Sequence, residues 1–176
     1  MFSSSRRRLS EARSRNNIGW MLVRLGRPDA ARPHLVRAIA IFEELGVETR
    51  KGDIIHSLAE LALAENDLSE AVRLAGEAIA LGTRLGELPT VASSHALLGR
   101  IAARQGRHSD ADLEFAAALE AAEAGGGPRL MEVHEMYAEV LETRGDLASA
   151  NQHLRQAIAA YRPPTPLALE SRIAIA

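Results

Sequence analysis

Apolar residues recur every three or four positions along most of this chain, which is the spacing of one face of an α-helix. In the stretch 95–118, an apolar helical pattern runs to Ala102, Gly106 interrupts it, and Phe115 belongs to the pattern that resumes. The pattern predicts two helices joined by a tight corner. A single pair of this kind cannot bury its own apolar stripe, so we expect several pairs to stack.

The same helical hairpin is predicted four times. Its corners fall at Gly26, Asn66, Gly106 and Gly145, which are 40, 40 and 39 residues apart. A period in this range is typical of a helical solenoid. Because alternation of apolar and polar residues is missing, no strand is predicted and the fold class is all-α.

Composition narrows the choice of architecture and function. Hydrophobic residues make up 47% of the chain but aromatic residues only 3%, which favours close contacts between alanine-rich helices over one thick core. The formal net charge of −2 does not indicate a nucleic-acid or acidic partner. With no cysteine, there is no disulfide framework or thiolate nucleophile. The sequence has no transmembrane run or signal peptide, so a cytoplasmic location is expected.

Corresponding residues stand at the same positions of all four hairpins. In the first helices they are Arg15, Ile18, Gly19, Leu22; Ile55, Leu58, Ala59, Ala62; His95, Leu98, Gly99, Ala102; and His134, Tyr137, Ala138, Leu141. In the second helices they are Ala31, Leu35, Ala38; Ala71, Ala75, Ala78; Ala111, Phe115, Ala118; and Ala150, Leu154, Ala157. This arrangement resembles the tetratricopeptide repeat (TPR), with its W-x₂-L-G-x₂-Y and A-x₃-F pattern. The resemblance implies a right-handed α-solenoid.

Two features depart from the standard repeat. The period is about six residues longer than the usual 34, and glycine replaces the terminal proline at Gly46, Gly86 and Gly125. Long repeats of this kind resemble those of bacterial signalling proteins and transcription regulators, and those of kinesin light chains. The likeness is to a subclass of repeat and does not imply a particular ligand.

The predicted organisation has three parts. Residues 1–8 are expected to form a flexible basic arm, 9–162 the TPR solenoid, and 163–176 either a capping helix or the start of a fifth repeat. The four repeats are predicted at about 9–48, 49–88, 89–127 and 128–162. The arm is interpreted as a linker, with nucleic-acid contact or a transit peptide as alternatives.

In TPR proteins the first helix of each pair lines a concave groove, and the resemblance assigns this role to polar residues that lie off the apolar stripe. The candidates are Arg13, Asn16, Trp20 and Arg24 in the first repeat; Asp53, His56 and Glu60 in the second; Ser93, Arg100 and Arg104 in the third; and Glu132, Glu135, Glu139 and Glu142 in the fourth.

Two groups among these candidates have alternative interpretations. Trp20, the only tryptophan, has the character of a binding hot spot or packs on the arm or a neighbouring helix. The four glutamates of the fourth repeat form an acidic stripe whose members repel one another. Arg100 and Arg104 are the expected internal partners, and a solvated face and a docking site for a basic peptide both remain open.

No cofactor, metal or catalytic site is predicted. His95 and His134 occupy a packing position of the repeat and are interpreted as partly buried residues rather than metal ligands. The glycine run 125–127 is not followed by the lysine and hydroxyl residue of a phosphate-binding loop. Since no nucleophile or paired acid and base is evident either, the chain is not expected to be an enzyme.

The predicted function is a non-catalytic scaffold that binds a protein or peptide in the solenoid groove. The alternative is a sensory or regulatory TPR segment of a larger bacterial signalling or transcription-regulatory protein. Self-association through the open ends of the solenoid is a further expectation. Membrane association is not expected, and nucleic-acid binding is expected only through the arm residues Arg6–Arg8.

Overall fold

The computed structural model describes residues 2–127 and 129–161, which form an array of paired helices. Within these residues there are eight helices and no strand. The helices are α1 (Phe2–Arg24), α2 (Pro28–Glu44), α3 (Lys51–Ala64), α4 (Leu68–Leu85), α5 (Leu88–Arg104), α6 (His108–Ala124), α7 (Leu130–Thr143) and α8 (Leu147–Ala160). Consecutive helices pair into four hairpins, so the predicted all-α repeat fold is confirmed.

Every hairpin corner contains one residue in the left-handed backbone region. These residues, with their φ angles, are Gly26 (+69°), Asn66 (+64°), Gly106 (+72°) and Gly145 (+84°). Glycine adopts this conformation without steric cost, and asparagine tolerates it better than most residues. The next amide donates back into the first helix, as Arg27 N does to Leu22 O at 2.9 Å. The corners therefore end each first helix with its last carbonyls hydrogen-bonded.

Inside each hairpin, residue sizes on the two helices are matched. Gly99 lies opposite Phe115, and a Cβ added there would be 2.8 Å from two ring carbons. A Cβ added at Gly19 would clash with the side chain of Leu35 in the same way. The corresponding residues of the second hairpin, Ala59 and the fully buried Ala75, share one cluster. Glycine is thus placed where the opposing side chain is large.

The hairpins stack through their first helices. Each of α3, α5 and α7 packs against both helices of the preceding hairpin, whereas the second helices of neighbouring hairpins make no contact within the described ranges. Closer packing on the first-helix side makes that side the inner surface of the array. The repeat thereby brings polar residues of four separate helices onto one face.

The third and fourth hairpins are also joined by an aromatic and polar contact. The rings of Phe115 and Tyr137 stack with their centroids 4.5 Å apart. The Tyr137 hydroxyl donates to Asp112 at 2.8 Å, and Arg144 donates to the same carboxylate at 2.9 Å. Burial, followed by the contact with Asp112, raises the pKa of Tyr137 to about 12. The hydroxyl is therefore protonated and can donate at neutral pH.

Residues 2–8 form the first two turns of α1, in place of the predicted flexible arm. Arginine and serine are compatible with a helix, and this segment has no proline or glycine. The guanidinium of Arg8 also forms an ion pair with Glu44 of α2. Leu9 packs against the cluster that contains Ala12 and Phe42. These contacts with α2 explain why the segment continues the helix.

The apolar stripe of α1 is oriented differently from the expectation. Ile18, Met21 and Leu25 are 44%, 56% and 68% exposed, while Leu22 is partly buried against the first hairpin. Part of the stripe therefore lies on a face of α1 that the described hairpins leave uncovered. At the other end, α8 stops at Ala160, and the predicted cap or fifth repeat at 163–176 lies outside the described residues.

Candidate partner-binding groove

A polar cavity of about 220 Å³ crosses the inner face of all four hairpins. We call it the polar groove. Its lining residues are Asn16, Asn17 and Trp20 of the first hairpin; Arg50, Asp53, His56 and Ser57 of the second; Thr90 and Ser93 of the third; and Arg129 and Glu132 of the fourth. Stacking of the first helices is what brings these residues together.

Two ion pairs border the polar groove. Arg50 lies 2.8 Å from Asp53, and Arg129 lies 2.6 Å from Glu132. In each pair the arginine immediately precedes a first helix and the carboxylate lies in its first turn, where the helix dipole favours negative charge. The hydroxyl of Thr90 also donates to Asp53. Both carboxylates are consequently held by neighbouring donors.

His56 supplies an uncharged polar group to the groove. Its Nδ1 and the Oγ of the buried Ser94 are hydrogen-bonded at 3.2 Å. Burial lowers the pKa of His56, and the positive charge of Arg129 acts in the same direction, although the carboxylate of Glu60 opposes them. The imidazole is therefore neutral at pH 7, with one nitrogen that donates and one that accepts.

Trp20 lies at the end of the groove formed by α1 and is partly exposed. The guanidinium carbon of Arg24 is 5.2 Å from the centre of its ring. This distance is within the range of a cation–π contact. Trp20 therefore packs on a side chain of its own helix and presents part of its ring to the groove, while its role as a binding hot spot stays a prediction.

A second cavity, of about 300 Å³, lies toward the C-terminal ends of α5 and α7. Arg100, Arg104 and Glu139 contribute to its lining. The ion pair of Arg100 is with Glu60, at 3.6 Å, and not with the acidic stripe of α7 as expected. The reason is geometric: Glu60 and Arg100 occupy the same repeat position on adjacent first helices.

The remaining candidates lie outside these two cavities. Arg13 and Arg24 are exposed on α1, and Glu135 and Glu142 are exposed on α7. In the described part of the chain, Glu135, Glu139 and Glu142 form no ion pair. The acidic stripe is thus a solvated face in this structure, with Glu132 alone drawn into the polar groove.

Comparison with known proteins identifies the repeat. Tetratricopeptide repeat profiles match residues 12–45 and 56–128. The chain belongs to the tetratricopeptide repeat family. A comparison with curated proteins finds no match.

Among solved structures, the crystal structure of BtubC (BKLC) from P. vanneervenii is similar to this TPR array. The two chains are 14% identical, with a TM-score of 0.57, and the match covers 91% of this chain and 76% of that one. At this level of identity the likeness concerns the fold alone. The similarity of fold extends over nearly all of the chain.

The TPR period also explains groove residues that sequence inspection missed. Arg50, Thr90 and Arg129 occupy one position of the repeat, at or next to the start of a first helix. Asn17 and Ser57 share another position. Arg50 and Arg129 precede their helices and so belong to no helical face, whereas Asn17, Ser57 and Thr90 lie within first helices. Alignment of the four TPR units groups Arg50 with Thr90 and Arg129, and Asn17 with Ser57.

Three TPR histidines outside the groove, His95, His134 and His153, pack within their hairpins. His134 is 6% exposed, and its Nδ1 lies 2.9 Å from the Nδ1 of His153. At the same repeat position, His95 contacts Glu114 at 2.7 Å. Residues 2–127 and 129–161 contain no group of three histidine or acidic side chains placed to hold a metal ion. None of the helices in these ranges is long and apolar enough to cross a bilayer.

Proposed function

We propose that this TPR array is a non-catalytic scaffold that binds an extended segment of a protein partner in the polar groove. The observation that carries the proposal is the convergence of polar side chains from all four hairpins on one inner cavity. TPR repeats generally mediate protein–protein interactions. The sequence-predicted residues Asn16, Trp20, Asp53 and Glu132 all belong to this cavity, and a role in binding stays a prediction for each.

The chemistry of the groove favours an uncharged polar part of a polypeptide. The Asp53 and Glu132 carboxylates are each neutralised by a neighbouring arginine. The hydroxyl of Ser93 and the second ring nitrogen of the neutral His56, whose Nδ1 is hydrogen-bonded to Ser94, are left as hydrogen-bonding groups for a partner. Peptide groups and amide side chains carry the complementary donors and acceptors.

The size of the groove supports the same conclusion. Pockets for small-molecule ligands usually measure about 300–1,000 Å³, whereas the polar groove measures about 220 Å³ and is open to the inner face. Such a site accepts a side chain or a short stretch of main chain from a longer segment. The rest of the segment would extend along the first helices on either side.

Trp20 and the exposed charges would set the position and direction of the partner. A partly exposed tryptophan beside an arginine is the type of residue that dominates binding energy at interfaces. Arg13 and Arg24 lie on α1, and Glu135 and Glu139 lie exposed on α7. A partner with acidic residues toward α1 and basic residues toward α7 would meet complementary charge.

In the alternative version of the proposal, this chain is a regulatory segment of a larger cytoplasmic signalling protein in a bacterium and binds its partner in the same groove. Partner binding would then favour one curvature of the array over another. The binding step is common to both versions of the proposal, so one set of groove variants tests it.

A phage-displayed library of random peptides provides the test. Peptides selected on the wild-type chain would be synthesised with a fluorescent label, and their affinities measured by anisotropy. Trp20→Ala is expected to weaken binding at least about tenfold, as loss of a hot-spot residue does. Leu113→Ala is the matched control, because Leu113 is 70% exposed on α6, outside the groove.

Helix content by circular dichroism should be the same in both variants. Equal loss of affinity in Trp20→Ala and Leu113→Ala would mean that the selected peptides bind another surface. Unchanged affinity in Trp20→Ala would remove the anchor from the proposal. Substitution of Asp53 by alanine supplies a second groove variant in the middle of the site.

A further inference from the structure

Within residues 2–127 and 129–161, each end of the helical array exposes an apolar face. On α1 the exposed side chains are Ile18, Met21 and Leu25, and we call this the α1 face. On and just after α8 they are Leu147, Leu154, Ile158 and Tyr161, which we call the α8 face. Both sets follow helical spacing, so each forms a continuous strip along one side of a helix.

The α1 face corresponds to the surface through which the first helix of each later hairpin packs against the preceding hairpin. Met21 is 56% exposed, whereas Leu61 and Ile101, at the same repeat position, are 2% and 0% exposed. Leu61 clusters with Leu35 of the preceding second helix. Ile101 clusters with Ala75 in the same manner. What Met21 lacks is therefore the second helix of a preceding hairpin.

The α8 face corresponds to the reciprocal surface, through which the second helix of each earlier hairpin packs against the following hairpin. Leu154 is 36% exposed, but Leu35 and Phe115, at its repeat position, are fully buried. Phe115 is covered by the stacked ring of Tyr137 from the next first helix. Ile158 is 75% exposed, and its equivalent Leu119 packs against the cluster that contains Val133 of the next hairpin.

We propose that copies of this chain associate head to tail, with α1 of one copy packed on the α8 face of another. The contact would continue the stacking already present between hairpins, with α1 of the second copy in the place of a next first helix. It joins two different surfaces, so it is heterologous and leaves a free α1 face and a free α8 face on every assembly. The polar groove would then continue from one copy into the next.

Charge favours this arrangement over a symmetric one. Helix α1 carries six arginines and one glutamate, whereas α7, the first helix of the last hairpin, carries four glutamates and no arginine or lysine. Neighbouring first helices lie side by side, and the ion pair of Arg100 with Glu60 shows that the same repeat position on adjacent helices can hold opposite charges. Head-to-tail stacking places α1 beside α7, while an α1–α1 contact would oppose two basic helices.

The contact involves one face of a single hairpin on each side, so a weak, concentration-dependent association is expected. Sedimentation velocity would follow the mass of the full chain at rising protein concentration. The variants are Met21→Glu for the α1 face and Ile158→Glu for the α8 face. Leu113→Glu is the control, because it adds the same charge at an exposed leucine outside both faces.

The wild type and the Leu113→Glu control should grow in mass with concentration, while each end variant alone should remain a single chain. An equimolar mixture of Met21→Glu and Ile158→Glu should recover association but stop at two chains, since it retains one intact face of each kind. Added salt should weaken the association.

A wild type that stays a single chain at all concentrations would overturn the proposal. Failure of the mixture to recover association would also overturn it. Association of Ile158→Glu by itself would overturn it too and would indicate a symmetric α1–α1 contact. Asp53→Ala, which changes the polar groove on α3 and away from both end faces, should self-associate like the wild type, and this separates the test from that of the polar groove.

Discussion

The match between Gly99 and Phe115 can be tested by adding one methyl group. In Gly99→Ala the new Cβ would lie 2.8 Å from Phe115 Cδ2 and Cε2 and 3.3 Å from the carbonyl oxygen of Ala111. The ring cannot move away freely, because Tyr137 is stacked on it with the centroids 4.5 Å apart. The helices must therefore separate, or both rings must shift.

Two opposing effects set the size of the change. Replacing glycine by alanine inside a helix stabilises it by about 0.5–1 kcal/mol. Overpacking a filled core typically costs about 1–3 kcal/mol. Gly76 in α4 is the matched control, because a Cβ built there meets no atom within 4 Å. We expect Gly76→Ala to stabilise the chain, and Gly99→Ala to have a free energy of unfolding about 1–3 kcal/mol below that of Gly76→Ala.

Urea unfolding followed by far-UV circular dichroism would measure both variants against the wild type. Phe115→Leu in the Gly99→Ala background provides a double-mutant cycle, since a smaller side chain should relieve the contact. The cost of Phe115→Leu should then be smaller with alanine at 99 than with glycine there. Equal stabilisation by Gly99→Ala and Gly76→Ala, with no coupling to residue 115, would refute the packing described for this hairpin.

Three further predictions concern stability. Burial lowers the pKa of His134 and of His153, and the neighbouring ring lowers that of His134 further. Protonation therefore favours the unfolded chain: the free energy of unfolding should be insensitive to these groups well above the unfolded pKa of about 6.5 and fall as the pH drops from there toward the folded pKa. His153→Gln should reduce that fall in urea titrations between neutral and mildly acidic pH; an identical fall would contradict the assignment. Asp67→Ala should lower the urea midpoint more than Asp29→Ala, because the Asp67 side chain accepts from the first turn of α4, at 3.1 Å from the Glu70 amide, whereas no side chain caps α2. Gly106→Ala should destabilise by about 1–2 kcal/mol although the added methyl meets nothing within 4 Å, because φ is +72°; a neutral result in thermal melts would show that the corner adopts another backbone conformation.

The architecture was predictable because one spacing rule is repeated four times. Each corner requires one residue in the left-handed backbone conformation, which glycine and asparagine adopt readily, and all four corner residues adopt it. Local pattern was less informative at the ends of the array. The spacing of the stripe that contains Met21 predicts a buried face. Its burial, however, depends on whether another hairpin packs against it, and local spacing does not specify this.

The candidate groove was predictable in part for a similar physical reason. Asn16, Asp53 and His56 belong to first helices, whose inner face follows from the fold. Arg50 and Arg129 precede their helices and reach the groove through ion pairs within the first turn. The pairing of Arg100 with Glu60 depends on which first helices are adjacent at the same height. Such contacts come from the stacking of hairpins and cannot be predicted from the periodicity of one helix.

The most direct test of the central claim uses the emission of Trp20, the only tryptophan in the chain. A peptide without tryptophan, selected as described above, would be titrated into the wild-type protein. Binding in the polar groove predicts a saturable change in Trp20 emission with the same dissociation constant as the anisotropy measurement. Saturating anisotropy with unchanged Trp20 emission would show that the partner binds elsewhere.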